Sequence, residues 1–298
     1  VPDWQLSKRT RVQGVEIAYQ VLGAGPPVVL VHGFPSNSYI WRNVAPALAR
    51  EHRVFVYDLP GQGQSERRDG MDVSDELQSR VLHDLLLHWD LKRPAAVLHD
   101  IGWSRVLHDL LLHWDLKRPA AVLHDIGCAY GMMAYYFEGA RFERIALISA
   151  AVMLPCVSAA TQHAQKYLEA YRTMPVNLYE LIARARIAST TFKPMSEAAA
   201  AAYAKPWLGA EGQALWFNRV AQLSDASIGK LEARLGPLDV PVRIIWGTED
   251  TWIPVDQAQR LHRYIRNADV RLIESGGHFL MEDAPEEVTR SLLEFLRS

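Results

Sequence analysis

Three separated pieces of this 298-residue chain carry side chains suited to one shared reaction. His32-Gly33-Phe34-Pro35 follows a β-branched run, and the string His-Asp-Ile-Gly follows another and passes at once into a helical stretch. Near the C-terminus, Asp250 in WGTEDTWIP and His278 in SGGHFLMEDAP each follow a further run. A carboxylate on a sharp strand-to-helix turn can attack an sp3 carbon and form an alkyl ester. A histidine within reach would then activate water against that ester. A second carboxylate would orient the imidazole and stabilise its cation. Backbone N–H groups of Phe34 and Ile126 are positioned to donate to the oxygen that gains charge. The chain order is nucleophile, acid, histidine, each at the C-terminal end of a strand, where open parallel sheets bind ligands. Such chemistry calls for no metal and no organic cofactor.

The His-Asp turn occurs twice. SRVLHDLLLHWDLKRPAAVLHDIG reads Ser79–Gly102 and again, without one substitution, Ser104–Gly127, 25 positions on. Asp125 is followed by Cys128-Ala129-Tyr130-Gly131, a helix, and the run Ile145–Ser149, the succession expected after a nucleophile. Asp100 is followed by Trp103 and a second copy of the charged, leucine-rich helix. Asp125 is therefore the expected nucleophile and Asp100 its alternative. Gly127, two residues on, gives the turn the small neighbour it needs, whereas Leu123, two before, is bulky for that position. Two copies are too few for a solenoid. The reading is a tandem-duplicated helix–strand unit, one copy being an insertion into a fold that needs only the other. If Asp100 acts instead, the first copy fills the strand position and the second bulges outward.

The elements that must hold these groups alternate. Short β-branched runs at Val15–Gln20, Pro27–His32, Arg53–Tyr57, Ala120–His124, Ile145–Ser149, Val242–Trp246 and Val270–Ile273 are bounded by Gly and Pro. Helical periodicity lies between them, which predicts an α/β fold with a mostly parallel sheet covered on both faces. Leu77, Val81, Leu82, Leu85 and Trp89 share one helical face, with Ser74 or Asp75 as N-cap. Gly127–Phe137 and Pro285–Leu296 are further helices. From 152 to 236 the strand signal vanishes and the composition is helical, interrupted by Pro175, Pro194 and Pro206. That segment reads as a helical cap between core parts 1–151 and 237–298.

The totals narrow the class. A formal net charge of -2 gives no electrostatic case for nucleic acid or an anionic membrane as partner. Two cysteines, Cys128 and Cys156, exclude a disulfide framework or a cysteine zinc site. The first twenty residues lack the apolar run of a signal peptide, and no stretch reaches membrane-span length. The expectation is a cytoplasmic enzyme acting on a small molecule, with a homodimer left open. His32, His99 and His124 read as turn-shaping groups. His83, His88, His108 and His113 have H-x4-H spacing, which does not suit a zinc-binding helix. Gly61-Gln62-Gly63 lacks the third glycine of a dinucleotide site.

HGFPSNSYIWRNVAPALA, YDLPGQGQS, HDIG, the helical cap, GTED and GGHFLMEDAPE together resemble the aspartate-nucleophile α/β-hydrolases, the epoxide hydrolases and haloalkane dehalogenases. The resemblance covers nearly the whole chain and implies an α/β-hydrolase fold. It favours Asp250 over Glu249 as the acid. PSNSYIWRN is similar to the dehalogenase stretch, but the halide-holding positions carry Ile126 and Phe34, which have no side-chain donor. HGFP and DLPGQGQSE match epoxide hydrolases, in which cap tyrosines protonate the opened ring. Tyr203 is then the leading donor, ahead of Tyr167, Tyr171 and Tyr179, while LWFNR carries Asn218 where that family often has tyrosine. Tyr203, Trp207, Pro35 and Trp41 are the expected substrate-contacting residues, and Trp216, Phe217 and Phe192 suit an apolar pocket. Epoxide hydrolysis leads, with dehalogenation as alternative. An ester or lactone hydrolase, or a hydrolase-fold binding protein of low turnover, comes after them.

Overall fold

Among the described residues, nine strands form one sheet. They are β1 (Lys8–Val12), β2 (Val15–Leu22), β3 (Pro27–Val31), β4 (Arg53–Tyr57), β5 (Ala95–His99), β6 (Ala120–His124), β7 (Arg144–Ile148), β8 (Val242–Gly247) and β9 (Ala268–Ile273). Their order is β1-β2-β4-β3-β5-β6-β7-β8-β9. β1–β2 and β2–β4 pair antiparallel, and every other pair is parallel. This computed structural model describes residues 4–25, 27–32, 34–68, 71–72, 81, 85, 88–89, 95–99, 120–137, 144–155, 158–222 and 225–297. Asp100 and the helix of the second copy lie outside the described residues.

Side chains alternate across the sheet, as strand geometry requires. Phe55, Tyr57, Leu123, Ile145, Leu147, Ile244 and Trp246 pack on one face. Leu30, Val54, Val56, Val122, Ala146, Ile148 and Ile245 pack on the other. Val81, Leu85 and Trp89, spaced by four, are buried in the first core with Tyr57 and Phe55. The helical face predicted there is thus seen at its described positions.

The helices traced end to end among the described residues are α1 (Ala45–Leu48), α2 (Ile126–Phe137), α3 (Ala159–Lys166), α4 (Leu168–Arg172), α5 (Val176–Ala188), α6 (Glu197–Ala204), α7 (Gly209–Gln222), α8 (Asp225–Glu232), α9 (Asp256–Tyr264), α10 (Leu280–Asp283) and α11 (Pro285–Arg297). Between β7 and β8 the described chain is helical, from α3 through α8. Ser158 and Ser196 cap α3 and α6 through their hydroxyls, and Pro175 precedes α5. Tyr179, Ala183 and Ile187 form the buried stripe of α5.

Two strands depart from the expectation. β1 is a polar, largely exposed edge strand without an alternating apolar signal. It is set by the Gln13-Gly14 turn, whose φ angles of 50° and 74° suit a two-residue hairpin. The second departure bears on the site. Both copies of the repeat supply a strand, so neither is looped out: β5 lies between β3 and β6. Identical segments satisfy the same pairing rules, and β5 and β6 pair in register, Ala96 with Ala121 through His99 with His124.

Candidate active site

β6 ends at His124, and α2 begins at Ile126. Asp125 between them has φ +54°, a left-handed conformation that a non-glycine residue adopts at some cost. Its backbone is fully engaged: its N–H donates to the Ile148 carbonyl (3.1 Å), and its carbonyl accepts from Cys128 (3.0 Å) and Ala151 (3.2 Å). The strain is thus held by β7 and by the first turn of α2. The Asp125 carboxylate also accepts the Ile126 N–H at the positive end of a 12-residue helix.

His278 follows β9 in a loop pressed against the one after β8. A side chain on Gly247 would stand 2.1 Å from the Gly276 carbonyl oxygen, so the two loops meet only because Gly247 has none. The Glu249 N–H donates to that carbonyl (2.9 Å). The crossing brings His278 Nδ1 to 3.0 Å from Asp250 Oδ2, and Nε2 to 3.5 Å from Asp125 Oδ1. Asp250 Oδ1 accepts the N–H groups of Trp252 (2.9 Å) and Ile253 (2.8 Å). Asp250, not its neighbour Glu249, is the carboxylate beside the imidazole. Asp125 keeps 20% of its side chain exposed while His278 and Asp250 are buried, so Asp125 is the member of the group that a ligand can reach.

The proton affinities follow from this packing. Burial alone would lower that of His278, but Asp250 and Asp125 more than offset it and hold the pKa at about 10. Burial would raise Asp125, yet the bond to His278 and the His278 charge keep it below its ordinary value. His124 is driven down to about 4 by burial and by the His278 charge. Neutral His124 donates from Nε2 to the His278 carbonyl (3.1 Å), steadying the histidine loop from below.

These two shifts act on stability with opposite sign. His278 binds its proton more tightly folded than unfolded, so its contribution is complete below pH 6.5 and is lost as pH rises through about 10. His124 binds its proton less tightly when folded, so stability falls as pH drops from 6.5 toward about 4. The thermal unfolding temperature should therefore be highest near pH 6.5, with limbs on the order of a few kcal/mol. His278→Gln should flatten the alkaline limb; an unchanged limb in that variant contradicts the assignment.

The other residues singled out in the sequence are placed as follows. Trp207 donates its indole N–H to the Pro35 carbonyl (2.6 Å) and, with Phe34 and Trp216, forms an aromatic cluster with ring centroids 4.8–5.5 Å apart. This cluster joins the helical segment between β7 and β8 to the loop after β3. Trp41 is fully buried in the core beside Leu30 and Leu48, where it is a packing residue. Tyr203 is corrected more sharply. It is fully buried, and its hydroxyl donates to Glu282, which also receives both terminal nitrogens of Arg42. Burial and the Glu282 charge raise its pKa well above the ordinary value. That hydroxyl is committed to an internal carboxylate and is not poised to protonate a ligand. Tyr179 is likewise committed, donating to the Trp207 carbonyl (2.8 Å).

Of the two expected oxyanion donors, Ile126 meets Asp125 through its N–H. β5 lies between the strand that leads toward Phe34 and the strand that leads into Asp125, which sets those two strands two spacings, about 9.6 Å, apart. Sequence reasoning missed Trp252. Its ring lies parallel to His278 (11°, centroids 5.5 Å apart), and its indole N–H reaches Ser189 at the end of α5 (3.0 Å). The Arg186 guanidinium lies 4.1 Å over the same ring. Only its place two residues after the acid could have marked it. Among the described residues no helix is long and apolar enough to cross a membrane. No group of three or more His, Cys, Asp or Glu side chains among them is arranged to hold a metal ion.

Comparison with known proteins agrees with this architecture. A crystal structure of an alpha/beta hydrolase fold protein from Burkholderia ambifaria is 34% identical, with a TM-score of 0.78 over 97% of this chain and 98% of that one. Haloalkane dehalogenase DbeA from Bradyrhizobium elkani is 20% identical, with a TM-score of 0.69 over 97% of each chain. The soluble epoxide hydrolase of Corynebacterium sp. is 36% identical over 92 residues, 30% of this chain and 32% of that one. The model of the alpha/beta hydrolase family matches residues 28–291. With its nine-stranded sheet and its charged residues gathered at the strand ends, the chain belongs to the alpha/beta hydrolase family.

Proposed function

We propose that this hydrolase opens small, largely apolar epoxides through a covalent ester on Asp125. The observation that carries the reading is a carboxylate, in place of a serine or cysteine, on the φ +54° turn and 3.5 Å from His278. The likeness to the Corynebacterium epoxide hydrolase supports it. Cys128 is a poor rival nucleophile: it is buried, and its thiol points to the Leu123 carbonyl (3.1 Å).

In the first step an Asp125 oxygen bonds to a ring carbon and the C–O bond of the epoxide breaks, leaving an alkoxide. Esterification removes the negative charge of Asp125. One of the two carboxylates that hold His278 at about 10 is then gone, and its proton affinity falls. The imidazole sheds its proton to water, and the alkoxide takes one from water, so ring opening does not need the imidazole as its acid. His278, now neutral, takes a proton from water, and the hydroxide attacks the ester carbonyl. Charge gathers on the oxygen that faces the Ile126 N–H. Collapse of this intermediate releases the diol, restores the Asp125 carboxylate and leaves the imidazolium between two carboxylates. One epoxide and one water give one diol.

Haloalkane dehalogenation is the second reading, favoured by the likeness to DbeA. It needs no proton for the leaving group, and the positions expected to hold halide carry Ile126 and Phe34. The two are separated by mass spectrometry of His278→Ala after brief incubation with each substrate class. An epoxide adds its whole mass, whereas a haloalkane adds its mass less HX. Tryptic peptides carrying Asp100 and Asp125 differ beyond Gly102 and Gly127, so the adduct can be assigned. A whole-substrate adduct on the Asp125 peptide is expected. No adduct from either class would sink the covalent mechanism.

A further inference from the structure

We propose that Asp283 is a positioning residue for His278, tying the histidine loop to the cap loop that crosses it; the catalytic part of this proposal rests on the reading just given. Asp283 ends α10, five residues after His278, and is buried. Its Oδ2 accepts the Gly277 N–H (2.7 Å) and the Phe192 N–H (2.9 Å), and its Oδ1 accepts the Lys193 N–H (2.9 Å). The Lys193 ammonium returns to the Asp283 carbonyl (3.2 Å). One carboxylate thus receives the peptide that leads into His278 together with two peptides of the loop between α5 and α6. The Phe279 N–H, on the other side of His278, donates to Thr190 of the same loop (2.8 Å).

The crossing is tight. A side chain on Gly277 would stand 2.6 Å from the Phe192 nitrogen and 2.9 Å from the Thr191 carbonyl carbon. His278 is therefore flanked on both sides by backbone bonds to cap residues 190–193, directly at Phe279 and through Asp283 at Gly277. A buried carboxylate that accepts three backbone N–H groups cannot be replaced by an amide without facing one of them with an N–H. Displacement of the imidazole by about 1 Å is enough to slow a step that uses it on the order of a hundredfold. Attack by Asp125 does not use the imidazole as base, whereas hydrolysis of the ester does. Loosening Asp283 should therefore act on the second step.

The test uses the full chain with Asp283→Asn, which keeps the side-chain shape, and Gly277→Ala, which wedges the same crossing from the other side. Titration of 13C-labelled histidine by NMR reads His278 without any substrate. In the wild type it should titrate at about 10. In Asp283→Asn it should fall by roughly one unit or more as the imidazole moves from Asp250 and Asp125. In rapid-mixing experiments with an epoxide, ester formation should stay within about threefold while ester hydrolysis slows roughly ten- to a hundredfold, so that the adduct accumulates. Asp283→Glu should recover part of the loss. An unmoved titration in both variants, or equal slowing of the two steps, overturns the proposal. If the wild type forms no ester at all, the mechanism on Asp125 fails by itself, and the titration alone decides whether Asp283 positions His278.

Discussion

A chain from which one copy of the repeat has been excised should turn over substrate on the order of 10²–10³ times faster than the full chain. Deleting residues 79–103 or residues 103–127 yields the same polypeptide, so one variant tests the point without a choice of copy. The gain comes from the sheet. In the full chain β5 lies between β3 and β6, and the loop bearing Phe34 starts two strands from the aspartate turn. With one strand removed, β3 borders the remaining aspartate strand. The strand that leads toward Phe34 then stands one spacing, about 4.8 Å, from the aspartate strand instead of two. A second backbone donor joins that of Ile126 at the oxygen that gains charge during ester hydrolysis. Steady-state rates with a responsive epoxide check this. Equal or lower turnover in the shortened chain would mean that β5 does not obstruct the site and that Phe34 is not the missing donor.

Asp125→Ala should abolish turnover by at least on the order of 10⁴-fold, while Asp100→Ala should change it by no more than about threefold. The contrast rests on reach: Asp125 lies 3.5 Å from His278 Nε2 and accepts the Ile126 N–H at the start of α2. The same substitution carries a signature beyond activity. With one of its two carboxylates gone, His278 should titrate well below its value of about 10, and the alkaline limb of the stability curve should move to lower pH. If Asp100→Ala is the variant that loses turnover, the two copies have exchanged roles.

The parts of this site that were legible in the sequence are those set by neighbours along the chain. A β-branched run, an aspartate and a small-residue helix give β6, the turn and α2 through local rules. The runs before Asp250 and His278 likewise place both at strand ends. What could not be read depends on partners far away in sequence. Tyr203 has the residue type of a proton donor, but Glu282 and Arg42, 79 positions away or more, decide where its hydroxyl goes. Asp283 resembles any acidic helix end until residues 192 and 193 are folded over it. The repeat was unreadable for a different reason. Two identical segments have identical propensities, so nothing local says whether one or both enter the sheet.

The pairing of β5 with β6 sets each residue beside its own twin: Ala96 beside Ala121, Val97 beside Val122, Leu98 beside Leu123. Like residues stacked in parallel register are the arrangement by which separate molecules add to a growing fibril. Here the chain carries both rungs itself, and a strand donated by a neighbouring molecule would fit either place as well as the resident one. The seam thus holds together by self-recognition that does not distinguish its own chain from another.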